Sequence, residues 1–301
     1  MKVASTKKTL QMKQILPAIL LGISLTVSAA DKKIVFIAGT PSHAPGDHEH
    51  RAGSLLLKSC LDGVPGVTSF VYSNGWPTDE KSAFEGAATI VIYADGGGGH
   101  PAIQKDRKET LDALMKQGVG MACIHYAVEP TIENGQKEFL DWIGGAFEIN
   151  WSVNPHWIAE FKTLPKHPIT RGVKPFVCDD EWYFNMRFRD RMNGVTPILT
   201  AVPPKSTMQR PDGTHSGNPA VREAVKRGDP QHMAWATERA DGGRGFGFTG
   251  AHYHHNWGDD NFRKLILNAI LWTAKVEVPK DGVQSSVTAE QLKLNLDNKK
   301  K

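Results

Sequence analysis

Short continuous apolar runs alternate along this chain with stretches whose apolar positions recur every three or four residues. Lys33 to Ala38 is an apolar run ending at Gly39, the pattern of a buried strand. Arg51 to Leu61 sets Leu55, Leu56 and Cys60 on one side and predicts a helix. Val67 to Tyr72 predicts a second strand, and Ala88 to Ala94 a third that runs into Asp95 and four glycines. Ile103 to Lys116 predicts a helix stopped by Gly118, Val119 to His125 a fourth strand, and Glu138 to Ile143 a short helix. Strands alternating with helices predict an α/β domain with a mostly parallel sheet, its right-handed crossovers placing helices on both faces.

After Asn150 the texture changes. His156 to Phe161, Phe176 to Phe188 and Thr196 to Val202 predict shorter, more exposed strands. Pro203 to Asp229 is polar and rich in Pro and Gly, a long loop with one helical turn near Ala220 to Val225. Met233 to Glu238 and Gly245 to Thr249 return to the strand pattern, and Phe262 to Ala274 predicts an amphipathic closing helix. The middle third thus reads as an antiparallel flap inserted into one domain, residues 31–280, followed by a loosely ordered tail, residues 281–301.

The first thirty residues read differently. Lys2, Lys7, Lys8 and Lys13 precede an apolar run from Ile15 to Val27 that closes on Ser28, Ala29 and Ala30. Basic start, short apolar core and small-residue exit predict a secretory signal peptide, cleaved after Ala29 or Ala30, and hence an exported protein, periplasmic or secreted. The run is thirteen residues, short of the roughly twenty a membrane span needs. No later stretch is long and apolar enough to span.

Charge follows from that leader. The chain has 36 Lys and Arg against 32 Asp and Glu, and the leader's four lysines account for the whole excess of +4. There is no basic stripe to suggest a nucleic-acid partner. Three cysteines, Cys60, Cys123 and Cys178, are too few for a disulfide framework.

Open α/β sheets bind ligands at the carboxyl ends of their strands. Four polar segments fall there: Thr40 to His50, Asp95 to His100, His125 with Tyr126, and Gly250 to Trp257. They are unusually rich in histidine. The run Gly96 to Gly99 lacks a following Lys-Ser/Thr and matches no nucleotide fingerprint, so no nucleotide is expected. Gly98 and Gly99 would instead let a ligand approach the backbone.

The segments His43 to Gly53, Asp95 to Pro101, Gly120 to Ala127, His167 to Gly172, Asp180 to Phe188 and Gly245 to His252, in this order and spacing, resemble the ThuA-like (trehalose-utilisation) family. The resemblance runs from about Lys33 to Val278. It implies a flavodoxin-like sandwich of the class I glutamine amidotransferase-like type. It also implies a place in sugar metabolism, with glycosides oxidised to 3-keto-sugars as the substrate class. That superfamily often carries a nucleophilic cysteine on a tight strand-to-helix turn. Here Cys123 has no glycine on either side and reads as a core residue, with His125 at the strand end instead.

Imidazoles with a carboxylate are usual ligands of a divalent ion such as zinc. His50, His100 and Asp95, each just after a strand, are the expected ligands. His125 and Glu49 are the expected catalytic groups, Glu49 lying between two histidines at the mouth of a helix. Tyr126, Trp151, His252, His254 and Trp257 adjoin the polar loops as expected substrate contacts. Glu181, Tyr183 and Asn185 share one face if their segment is extended, and are expected to face substrate. The expected activity is metal-assisted elimination or hydrolysis of a 3-keto-glycoside; the competing reading is a carbohydrate-binding protein without catalysis.

Overall fold

The computed structural model describes residues 1–5 and 31–300. The expected leader and its cleavage point fall mainly on residues 6–30, outside the described residues. The folded domain is the unit that begins at Asp31.

In chain order the elements are β1 (Lys32–Ala38), α1 (His50–Leu61), β2 (Val67–Tyr72), α2 (Glu80–Phe84), β3 (Ala87–Tyr93), α3 (Arg107–Lys116), β4 (Gly120–Ile124) and α4 (Gln136–Trp142). Then come β5 (Gly145–Ala146), β6 (His156–Phe161), β7 (Phe176–Glu181), β8 (Arg187–Phe188), β9 (Val195–Ala201), α5 (Pro219–Arg227), β10 (Gln231–Glu238), β11 (Arg244–Phe248) and α6 (Asp260–Thr273).

Seven strands form the central sheet in the order β2-β1-β3-β4-β11-β10-β9. The first five run parallel, and β10 pairs antiparallel with both its neighbours. Side chains alternate across each central strand. Ile34, Phe36, Val91, Tyr93, Ala122 and Ile124 face one layer with α1 and α6. Val35, Ile37, Ile90, Ile92, Met121 and Cys123 face the other with α2, α3 and α4. Both faces are dry, which is why these strands read as unbroken apolar runs.

The flap is there, but smaller than its sequence signal. β6 and β7 form a separate antiparallel pair, as do β5 and β8, while β9 joins the central sheet at its edge. The long expected strand from Phe176 to Phe188 stops at Glu181; Asn185 takes a left-handed φ of 57°, which breaks the alternation. The helix expected from Ile103 starts only at Arg107, because His100 caps a 3-10 turn at Pro101–Ile103 and Lys105 turns left-handed.

Residues 281–300, which the composition leaves as a loose tail, pack against the domain. Val283 is buried and its amide donates to Asn268 Oδ1 at 2.9 Å. Lys299 reaches the buried carboxylate of Glu49 at 3.2 Å. Polar residues near a chain end give no periodic signal for such docking.

Candidate metal centre

Four segments converge at the carboxyl end of the parallel strands. The loop after β1 carries Asp47 and His48, and it is zipped to the loop after β11: the His48 amide donates to the His252 carbonyl at 2.9 Å, and Asp47 pairs with Tyr253. His125 is the first residue past β4, with φ 57°. A left-handed non-glycine residue is uncommon; here it turns the chain sharply and leaves the imidazole at the sheet's edge. Glu181 ends β7 and comes in from the flap.

Asp180 shapes the far side. Its carboxylate accepts from the amides of Ala251 at 2.7 Å and His252 at 3.0 Å, and from Asn256 Nδ2 at 2.9 Å. It is fully buried, so these donors have no water to turn to.

Donor atoms of His48, His125, His252 and Glu181, all buried, lie within 4.8 Å of one another. His48 Nε2 is 3.0 Å from both His125 Nε2 and His252 Nδ1. Glu181 Oε2 is 3.1 Å from His252 Nδ1 and 3.5 Å from His125 Nε2. Two of the imidazoles are held from behind by an acceptor, His48 Nδ1 at 2.7 Å from Asp95 and His125 Nδ1 at 2.8 Å from the Thr249 carbonyl, while His252 Nε2 faces Asp47 at 3.6 Å, beyond hydrogen-bond distance. Such outer acceptors fix the tautomer and orientation of metal-binding histidines.

Electrostatics agree. Burial opposes ionisation of Glu181, but the bonds from His125 and His252 outweigh it and hold the carboxyl well below its usual range. Burial pulls His48 down, leaving it neutral, while His48 itself overcomes the burial of Asp95 and keeps that carboxylate ionised. Burial also disfavours a charged His252, yet Glu181 raises it on balance. A tetrahedral zinc with bonds of about 2.0–2.1 Å would need donors roughly 3.3 Å apart. This buried His/Glu cluster could hold a metal ion.

Of the expected site residues, His125, Glu181, His252 and Tyr183 come together, the Tyr183 hydroxyl 3.2 Å from His125 Nε2. Asp95 is beside them, but as the partner of His48; His43, His48 and Asp95 form a second, more open group within 4.8 Å. His50 points toward Asp95 at 3.6 Å from within the core, its Nδ1 near the Thr40 carbonyl. His100 is not brought to the cluster. It is fully buried, with one ring nitrogen on the Ala127 carbonyl and the other accepting from the Ala102 amide, so no lone pair is left for a metal. Glu49 turns away to Lys299 and to the amides of Gly46 and Asp297. His254 reaches the Leu292 carbonyl, and Trp257 is core. Trp151 stacks under the Arg187 guanidinium at 3.7 Å, and Asn185 is spent on the Trp151 carbonyl.

Tyr126 lies beside His48, ring centroids 6.1 Å apart, on the glycine turn. A Cβ on Gly96 would stand 2.3 Å from the Tyr126 carbonyl oxygen, so only glycine fits there, and Gly97 has φ +60°. Gly98 and Gly99 lie exposed on the same turn. Cys123 is buried two residues before His125, and burial pushes its thiol well above the usual range.

Residues that sequence reasoning passed over are His48, Asp47, Glu129, His156 and His215. His48 sits among three histidines in one loop, and nothing local tells which of them faces inward. His215 lies in an aperiodic loop and Glu129 in a turn, so no pattern could have singled them out.

A mostly parallel α/β sandwich with a buried histidine–carboxylate cluster at its strand ends defines the class of protein. Residues 79–273 match the ThuA family, described as trehalose utilisation, and the chain belongs to that family. Among solved structures it is similar to a ThuA-like protein of Bacteroides uniformis, at 16% identity and a TM-score of 0.57, covering 82% of this chain and 92% of that one. It is also similar to a ThuA-like protein of Parabacteroides merdae, at 14% identity and a TM-score of 0.56, covering 89% and 100%. A search of curated proteins gives no match. Likeness at this identity speaks for the fold alone, which agrees with the sandwich expected from the sequence.

Proposed function

We propose that this protein acts on oxidised (3-keto) glycosides, cleaving the glycosidic bond by elimination or hydrolysis with the help of a metal held by His48, His125, His252 and Glu181. The family description supports a sugar ligand. The observation that carries the reading is the convergence of three imidazoles on one carboxylate, two of the imidazoles tied from behind by an acceptor. Three nitrogens and one oxygen suit zinc; with all four bound a tetrahedral shell would be full, so a substrate oxygen would have to enter as a fifth ligand or in place of one of them. When bound, such an ion supplies Lewis acidity toward a ketone oxygen.

The chain's own residues do the rest. Asp95 and the Thr249 carbonyl keep the His48 and His125 imidazoles pointed inward, and Asp180 holds the backbone of His252. Burial keeps the Tyr183 hydroxyl protonated, a donor beside the cluster. The glycine turn and Tyr126 lie beside His48, where they would border a bound sugar. The basic, apolar, small-residue start of the chain supports export, so the substrate would be met outside the cytoplasm.

The test is metal analysis of the purified protein joined to an assay with a 3-keto-disaccharide, with and without chelator. About one ion per chain, and turnover that chelation abolishes and metal restores, is the expected result. Sugar binding without turnover in any metal state would favour the non-catalytic reading and overturn this one.

A further inference from the structure

Three further imidazoles border the cluster: His43, His156 and His215. His43 Nδ1 is 3.9 Å from Asp95 Oδ1, but His48 already holds that oxygen at 2.7 Å. His156 stands 3.8 Å from Glu181, which the cluster shares, and its other nitrogen meets the Tyr253 hydroxyl at 2.9 Å. Of the three, His215 alone has a carboxylate to itself: its Nε2 lies 2.9 Å from Glu129 Oε1.

Glu129 is buried, and its second oxygen has no hydrogen-bond partner. Its amide donates to the Tyr126 carbonyl at 3.0 Å, and its carbonyl accepts from the Gly97 amide at 2.8 Å. The backbone at Glu129 is thereby pinned between the glycine turn and the turn that carries His125. His215 is presented by a tight hairpin in which the Gly213 amide donates to Gly217. The amides of Asn150 and Asn154 hold that hairpin by the carbonyls of Thr214 and His215. The His215 ring stacks on Phe147 at 5.2 Å; Phe147 meets Tyr183 at 5.4 Å, and Tyr183 meets His125 at 4.8 Å. Two aromatic rings in series, Phe147 and Tyr183, therefore connect His215 to the cluster. The side chain of His215 remains 32% accessible, and its Nδ1 lies 3.1 Å from the hydroxyl of the neighbouring Thr214, a contact that a ligand would have to displace.

We propose that Glu129 and His215 are a proton-transfer pair for the substrate of this site, with Glu129 orienting the ring through Nε2–H and Nδ1 exchanging the proton. This rests on the reading given under Proposed function and names its base. In the abstraction, the C–H bond beside the ketone breaks, its electron pair stays on the sugar as the enolate, and the proton goes to Nδ1. Expulsion of the glycosidic oxygen then forms the C=C bond, and Nδ1 returns the proton to that oxygen. No oxidant or further reactant is needed. Positioned acid–base groups of this kind contribute about 10²–10⁴-fold in rate.

The groups around the pair suit the role. The Glu129 hydrogen bond raises the affinity of His215 for a proton against its burial; Glu181 from β7 adds to this, and Arg210 of the same loop opposes it. Burial raises Glu129, while His215 works to lower it and Glu181 to raise it.

The experiment compares metal-loaded wild type with Glu129→Gln and His215→Gln. It reads metal content, kcat/KM for 3-keto-trehalose against pH, and the NMR titration of the His215 ring with and without that sugar. Metal content should not change, and kcat/KM should fall by about 100-fold or more in both variants. In Glu129→Gln the acid limb of the profile and the His215 titration should both move to lower pH. Turnover unchanged in both variants, or a His215 titration indifferent to Glu129→Gln, would overturn the pair. If wild type shows no turnover at all, the reaction reading fails by itself. The pair is then judged by the ring: His215 signals moved by the sugar support a ligand there, and unmoved signals overturn it.

Discussion

His48 Nε2 and His125 Nε2 face each other at 3.0 Å while the opposite nitrogen of each ring is spoken for, by Asp95 at 2.7 Å and by the Thr249 carbonyl at 2.8 Å. With a proton on each Nδ1, two lone pairs meet across that gap. Only a shared proton or a cation makes such a contact favourable. Glu181 and His252 close the remaining sides, so the four residues act as one unit.

Removing one member should therefore empty the site without unfolding the domain. His125→Ala and His252→Ala should each lower metal affinity by at least about 100-fold, the upper end of what loss of an outer acceptor costs. Metal content after dialysis, with circular dichroism as the check on fold, measures this. Full occupancy in either variant would place the metal elsewhere.

Asp180 holds three donors from the loop after β11. Asp180→Ala leaves buried amides unpaired, at about 1–3 kcal/mol for each group stranded. A fall in thermal midpoint of several degrees is expected, together with weaker metal binding because His252 is no longer positioned. If the variant is as stable as wild type, water must reach these amides.

His100 supplies a pH dependence separate from the metal. Burial lowers its pKa from 6.5 to about 4, so the folded protein keeps it neutral where the unfolded chain takes up a proton. Its contribution is complete above pH 6.5 and is lost as pH falls toward 4, a loss of about 3 kcal/mol. Urea unfolding of chelated protein across that window should show the slope. His100→Asn should flatten it while lowering stability at neutral pH through the lost bonds to Ala127 and Ala102. An equal slope in the variant would assign the acid sensitivity to other histidines.

Lys299 and Glu49 tie the C-terminal segment to the loop that carries His48. The ammonium also donates to the carbonyls of Asp47 and His48. Lys299→Met should strand a buried carboxylate and cost about 3–5 kcal/mol, seen in the denaturant midpoint. Removing both charges with Glu49→Gln should recover part of that loss. Recovery of none would mean that the pair contributes through packing.

Several parts of this protein were legible in one dimension. The parallel sheet could be read because a strand dry on both faces must be apolar throughout, and Val67–Tyr72 and His156–Phe161 match their expected spans residue for residue. That chemistry gathers after β1, β3, β4 and β11 was readable for the same reason: polar loops follow those runs. His125 and His252 could be picked out by their places after strands, whereas Glu181 and Tyr183 were expected from an alternation along a strand that in fact stops at Glu181.

Which of the histidines turn inward was decided by the tertiary structure. His48 and His50 are two residues apart, yet the helix begins at His50 and carries that ring into the core, while a left-handed turn at His48 aims its ring at His125. Pro101 starts a 3-10 turn that folds His100 back onto the chain, so a residue at a strand end became a cap. Glu49 was claimed by a lysine 250 residues further on. Composition and periodicity report which residues must leave water, because that depends on each side chain alone. They do not report which polar groups meet, because that depends on backbone turns and on partners far away along the chain.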